Sequence, residues 1–161
     1  MGAGKEVYEK AKEIIEESMS RGSLRLKGFE GRVEVGGREH VVKVIGGGAE
    51  LEGGESGKLH LRIKITAEVG GVKSDYTITY GRYGKNKALG YTTAKADPDG
   101  READAERFSA LIKALTGKVP RIRRMKDGSI IIECGSAHLK GFRRYAELAD
   151  VVEQWLEETD R

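Results

Sequence analysis

The sequence predicts an α+β fold: a curved antiparallel β-sheet with helices packed on one face. Three observations predict it. The middle of the chain alternates apolar and polar residues with period two. The alternation is clearest where Leu59, Leu61, Ile63 and Ile65 interleave with His60, Arg62 and Lys64, the mark of a strand with one buried face. Both ends of the chain instead space their apolar residues helically. Short glycine turns such as Gly70-Gly71 join the alternating runs, so successive strands read as an antiparallel meander.

Taken in order, residues 5–20 place Val7, Ala11, Ile14, Ile15 and Met19 on one side of an amphipathic helix that stops at Gly22. From Ser23 the period becomes two. Leu24 and Leu26 alternate with Arg25 and Lys27, Val33 and Val35 with Arg32 and Glu34, and Gly36-Gly37 leads into His40–Ile45. Residues 23–45 therefore read as a β-hairpin. Gly46–Gly57, glycine-rich and carrying Glu50, Glu52 and Glu55, reads as a mobile loop. Strands follow over Leu59–Val69 and Val72–Tyr80, then over 88–96 beyond the turn Arg82–Lys87. Asp97–Gly100 ends the sheet and starts a helix to Thr116. Its inner face is Phe108, Leu111, Ile112 and Leu115, Glu102 and Asp104 suit the dipole at its start, and Gly117 closes it. A second hairpin pairs Arg121–Met125 with Ser129–Cys134 about Lys126–Gly128, where Asp127-Gly128 is a strong turn signal. Ser136 can cap a last helical segment, broken near Gly141, with Tyr145, Leu148, Ala149, Val152, Trp155 and Leu156 inward. No repeat of about 20–50 residues recurs, so residues 1–161 are expected to be a single domain. Residues 1–57 supply the helix, hairpin and loop, and 58–161 the meander, helix, hairpin and helix.

Composition removes several functional classes. The 161 residues are enough to bury a core without disulfide or metal staples. Charged residues make up 34% of the chain while Asn86 and Gln154 are its sole side-chain amides, the bias that heat-adapted proteins show. Cys134 has no partner for an internal disulfide, and no charged-then-apolar leader opens the chain, so a cytoplasmic protein is expected. No apolar run approaches the ~18 residues of a membrane span, and no membrane association is expected. His40, His60 and His138 lack ligand spacing. The glycine segment lacks the Gly-Lys-Ser/Thr ending of a phosphate-binding loop. Asp97 and Asp99 read as turn and cap residues, and Cys134 as packing. No metal, cofactor or catalytic residue is expected.

Net charge is only +3, so its distribution says more than its total. His60, Arg62 and Lys64 share the outward face of one strand. Lys73, Arg82, Lys85, Lys87 and Lys95 follow nearby, and the later hairpin adds Lys118, Arg121, Arg123, Arg124 and Lys126. Acids concentrate in the helices, as in Glu147, Asp150, Glu153, Glu157, Glu158 and Asp160. A positive sheet beside negative helices is the pattern of a protein that lays its sheet on phosphate backbone. In the turn Arg82–Lys87, Tyr83 among cations is a candidate to stack on an unpaired base. The alternative is a solvated, heat-adapted surface whose cations pair with nearby acids.

Gly100–Gly117 (GREADAERFSALIKALTG), Arg123–Gly128 (RRMKDG), Phe142–Ala149 (FRRYAELA), Val35–Ile45 (VGGREHVVKVI) and Ser74–Tyr83 (SDYTITYGRY) resemble the crenarchaeal paralogous-repeat proteins of type 2b. The resemblance runs from about Gly31 onward. It implies a thermophilic archaeal origin, and because that family is defined by sequence it implies no particular activity. In its order of strands, helix, hairpin and helix the chain also resembles one half of a LAGLIDADG homing endonuclease with an extra N-terminal helix and hairpin. That resemblance implies a saddle-shaped sheet that grips DNA. The endonuclease motif helix ends in a metal-binding acid just before the first long strand. Here Ala49–Gly57 (AELEGGESG) stands in that place, with Glu52 and Glu55 near the acid's position and no helix to hold them.

The expected function is thus non-catalytic binding of nucleic acid, RNA or DNA, with a lean to structured RNA such as ribosomal RNA. Phosphate contact is expected from Arg62, Lys64, Lys73, Lys85, Lys87, Arg121, Arg123 and Arg124, stacking from Tyr83, and further positive surface from His60, Arg82 and Lys126. Two other readings stay open. One is a metal-dependent endonuclease using Glu52, Glu55 or Asp97. The other is a protein-interaction module acting through the acidic C-terminal helix.

Overall fold

The computed structural model describes residues 21–53, 58–83, 87–94 and 100–159. The amphipathic helix expected over 5–20 lies outside them, as do Lys85, Glu55 and Asp97. Seven strands form one antiparallel sheet in the order β1-β2-β3-β4-β5-β7-β6. They are β1 (Glu30–Val35), β2 (Arg38–Gly53), β3 (Leu59–Val69), β4 (Val72–Tyr83), β5 (Lys87–Thr93), β6 (Arg121–Arg124) and β7 (Ile130–Cys134). The helices among the described residues are α1 (Arg101–Thr116), α2 (Ser136–Phe142) and α3 (Ala146–Thr159). The fold is α+β, and the curled sheet is a half-barrel.

The period-two pattern sets which face is covered. Leu61, Ile63, Ile65, Ala67 and Val69 of β3, Tyr76, Ile78 and Tyr80 of β4, and Ile130, Ile132 and Cys134 of β7 are all buried. They meet Phe108, Leu111, Ile112 and Leu115 of α1 and Leu148, Val152 and Trp155 of α3 in one core. The break near Gly141 is present: α2 ends at Phe142 and α3 begins at Ala146. A Cβ on Gly141 would lie 2.9 Å from the Thr116 Cα, so this glycine lets α2 press against the end of α1. The start of α2 differs from expectation. Gly135, not Ser136, is its N-cap, and the Gly135 N–H donates to His138 Nδ1 at 3.0 Å.

The helices lie on the inside of the curl. α1 touches β1, β2 and β3 on one side and β7 on the other, and a cavity of about 460 Å³ is lined jointly by Val35, Arg38, Glu106, Ile122 and Arg124. Strands near opposite ends of the sheet therefore close around one helix, and the helix-free face is the convex one.

Two segments depart from the sequence reading. Residues 23–27 leave the hairpin, whereas Gly28 and Phe29 still exchange backbone hydrogen bonds with Val44 at 2.9 and 2.8 Å. Leu24 instead makes an isolated parallel bridge to Tyr145, and the Leu26 and Lys27 N–H groups donate to the Glu147 carboxylate at 2.9 and 2.6 Å. A carboxylate at the start of α3 takes the hydrogen bonds that a strand partner would have taken. The glycine segment expected as a loop is strand as far as Gly53: Gly46–Gly53 pairs residue by residue with Thr66–Leu59, after a bulge between Val44 and Gly46. The long alternating β3 acts as a template that supplies partners to a glycine run with little strand preference of its own.

Gly47 is required by this packing, because its Cβ would meet Leu26 Cδ2 at 2.6 Å and the Lys64 carbonyl oxygen at 2.9 Å; a Cβ on Gly48 would meet nothing within 4 Å. Gly47→Ala should therefore destabilise by about 1–3 kcal/mol through overpacking, whereas Gly48→Ala should stabilise by about 0.4–1 kcal/mol through the unfolded chain. Equilibrium denaturation of the two variants checks this. Equal small effects would contradict a strand at this segment.

Candidate nucleic-acid interface

On the convex face, side chains at paired positions line up in rows across the strands. One row runs Glu50, Arg62, Thr79, Tyr91, Glu133 and Arg121 across six strands. A second contains Glu52 and His60, and a third Gly48, Lys64 and Thr77. Tyr83 pairs with Lys87 at the end of β4 and β5.

The rows gather an aromatic cluster. Tyr83, 45% exposed, meets Tyr91 edge to face with ring centroids 5.5 Å apart. The Arg123 guanidinium lies 5.8 Å from the Tyr91 ring centroid and 3.7 Å from Glu133, whose side chain is the more buried of the two. Desolvation first, then the Glu133 charge and a hydrogen bond to it, push the Tyr91 phenol above its usual range. Glu133 thus lies beside both the Tyr91 hydroxyl and Arg123. Gly81 completes the cluster: a Cβ there would come within 3.1 Å of the His60 ring and 3.2 Å of the Tyr83 hydroxyl, so both groups settle directly over bare backbone.

The predicted cations divide three ways. Lys64, Lys87, Arg121 and Lys126 have no ion pair among the described residues, and His60 lies on the same open face. Others are matched by carboxylates. Arg62 stands 4.0 Å from Glu50 and 3.7 Å from Glu52, long contacts between exposed groups that hold it loosely. Lys73, opposite Glu68 in register but with no ion pair among the described residues, lies at the far end of β4, ten residues or about 33 Å from Tyr83. Arg82 and Arg124, expected on the outer face, instead occupy the helix-covered side of their strands. Arg82 Nε donates to Thr159 Oγ1 at 3.0 Å, with its guanidinium 5.0 Å from the Trp155 ring centroid. Arg124 makes two 2.7 Å bonds to Glu102 of α1, and these bonds hold the Glu102 carboxyl below its usual range. One continuous positive face does not form, since alternation along β4 and β6 places Arg82 and the still exposed Arg124 on the helix side of the sheet.

The sequence reading missed Tyr91 and weighed Lys118 only as part of a charge run. Tyr91 was findable, as strand periodicity sets it opposite Ala88 and Gly90. Its meeting with Arg123 depends on β5 pairing with β7, which no local pattern shows. Among the described residues, no three of His, Cys, Asp and Glu come together as metal ligands, and no helix is long and apolar enough to cross a membrane. Comparison with protein-family models, with curated proteins and with solved structures found no match to this chain.

Proposed function

We propose that this is a non-catalytic nucleic-acid-binding protein of the cytoplasm that receives an unpaired strand on the convex face of its sheet. The observation that carries the reading is the Tyr83–Tyr91–Arg123 cluster, which adjoins Lys87 and Arg121 in register. Exposed rings accept bases by stacking whatever their identity, and neighbouring cations take the phosphates. A convex surface suits a strand draped over it. Structured RNA with unpaired bases, ribosomal RNA being one instance, is the favoured target, because shape and stacking serve its recognition. Lys64 extends the track along β3, about 20 Å from Tyr83 at strand spacing.

Titration of labelled single-stranded RNA, single-stranded DNA and duplex, each at several salt concentrations, tests this reading. Single strands should bind more tightly than duplex, and affinity should fall as salt rises, with each phosphate contact contributing about 0.7 to the log–log slope. Lys64→Glu should weaken binding. Glu50→Gln with Glu52→Gln, which releases Arg62 from both of its ion pairs, should strengthen it. Binding that ignores salt, or the absence of binding to any of the three, would sink the proposal.

A further inference from the structure

Beside the aromatic cluster, at the end of the sheet where β5 begins, lies a hollow of about 380 Å³ lined by Lys87, Lys118, Arg121, Glu133, Ser136 and His138. Its charges come from three different elements. Lys87 opens β5, Arg121 opens β6, and Lys118 follows the Gly117 that terminates α1. Among the described residues none of the three cations has an ion pair. The carboxylate in the lining, Glu133, stands 3.7 Å from Arg123 and opposite Arg121 in register. His138 adds no charge: its ring accepts from the Gly135 N–H and bonds the Val119 carbonyl at 2.9 Å. Burial, and then the field of Lys118, lowers its pKa.

Three cations against the one carboxylate of Glu133 leave the lining net positive, a field that favours an anion in the hollow. The number of charges also selects the anion. An internal phosphodiester brings a single negative charge, whereas a phosphate monoester carries about −1.5 to −2 at neutral pH and offers more acceptor oxygens to converging donors. Position adds to this. Lys87 is the register partner of Tyr83, and Arg121 is that of Glu133, itself paired with Tyr91. A terminal phosphate in the hollow would therefore place its own first bases at the two tyrosines.

Resting on the strand-binding reading above, we infer that this hollow seats the terminal phosphate of a bound nucleic-acid strand, held by Lys87, Lys118 and Arg121. The seat makes the protein a reader of phosphorylated strand ends, which goes beyond a general grip on backbone.

The test uses the full chain and one ten-nucleotide single strand made with a 5′-phosphate, with a 3′-phosphate and with hydroxyls at both ends, followed by fluorescence anisotropy. One phosphorylated end should bind about tenfold more tightly than the hydroxyl-ended strand. That ratio should fall to near one in Lys118→Ala and in Arg121→Ala, whose folding is verified by circular dichroism. Inorganic phosphate at millimolar concentration should compete away the end preference, which separates a seat for any phosphate monoester from one requiring the adjoining bases. Equal affinity for all three strands, or an end preference that survives both variants, overturns the seat while leaving the strand-binding reading standing. Failure of every strand to bind overturns both.

Discussion

Replacing Trp155 with alanine is expected to remove about 3–5 kcal/mol of folding stability, the largest loss from any single truncation in this core. Trp155 is fully buried, donates from Nε1 to the Leu59 carbonyl at 2.9 Å and packs 6.2 Å from the Tyr80 ring. It also carries the Arg82 guanidinium, which would otherwise stand on the covered side of β4 over a void. Truncation thus combines a cavity, an unsatisfied carbonyl and a cation without its ring. Chemical denaturation of the alanine and phenylalanine variants separates these contributions. Trp155→Phe keeps most of the apolar volume and should lose about 1–2 kcal/mol, chiefly from the stranded Leu59 carbonyl. A loss below about 1 kcal/mol for the alanine variant would mean that α3 does not anchor the sheet as described.

The second large effect is on binding. Tyr83→Ala and Tyr91→Ala should each weaken single-strand affinity by about 1–3 kcal/mol, roughly five- to 150-fold, with folding unchanged for the exposed Tyr83. Leucine at either position preserves bulk without a stacking face and should behave like alanine, whereas Tyr83→Phe should bind almost as wild type. Tyr91→Phe is a different case, because it removes the hydroxyl that lies beside Glu133 at the edge of the stacking surface. Its affinity should fall between wild type and Tyr91→Ala. Fluorescence titration at one fixed salt concentration reads all of these, and wild-type affinity in both alanine variants would remove the stacking surface from the account.

Arg62 and Arg82 illustrate how far a one-dimensional reading reaches. Both are strand cations next to aromatic or apolar neighbours, and local sequence places both on the outer surface. For Arg62 the alternation of β3 settles its side correctly, because Leu61 and Ile63 flank it inside the core. The same rule applied to β4, where Tyr76, Ile78 and Tyr80 are buried, sends Arg82 inward. Reading 82–87 as a turn hid this, since the strand in fact persists to Tyr83. Gly46–Gly53 departs from its loop-like composition for a related reason: glycine content measures local preference, and a long neighbouring strand overrides it.

By itself the sequence determined the alternation of β3 and β4, the amphipathic helices around Phe108 and Trp155, the Asp127-Gly128 turn, and hence an α+β fold with one covered sheet face. These follow from neighbours two, three or four residues apart, a range within which side-chain direction is dictated by the backbone. The tertiary structure alone decided that β7 inserts between β5 and β6, that the sheet curls around α1, and that Tyr83, Tyr91 and Arg123 meet beside a hollow shared by Lys87, Lys118 and Arg121. Those placements are fixed by packing and hydrogen bonds between residues tens of positions apart. No periodicity in the chain encodes which distant strand will supply the partner.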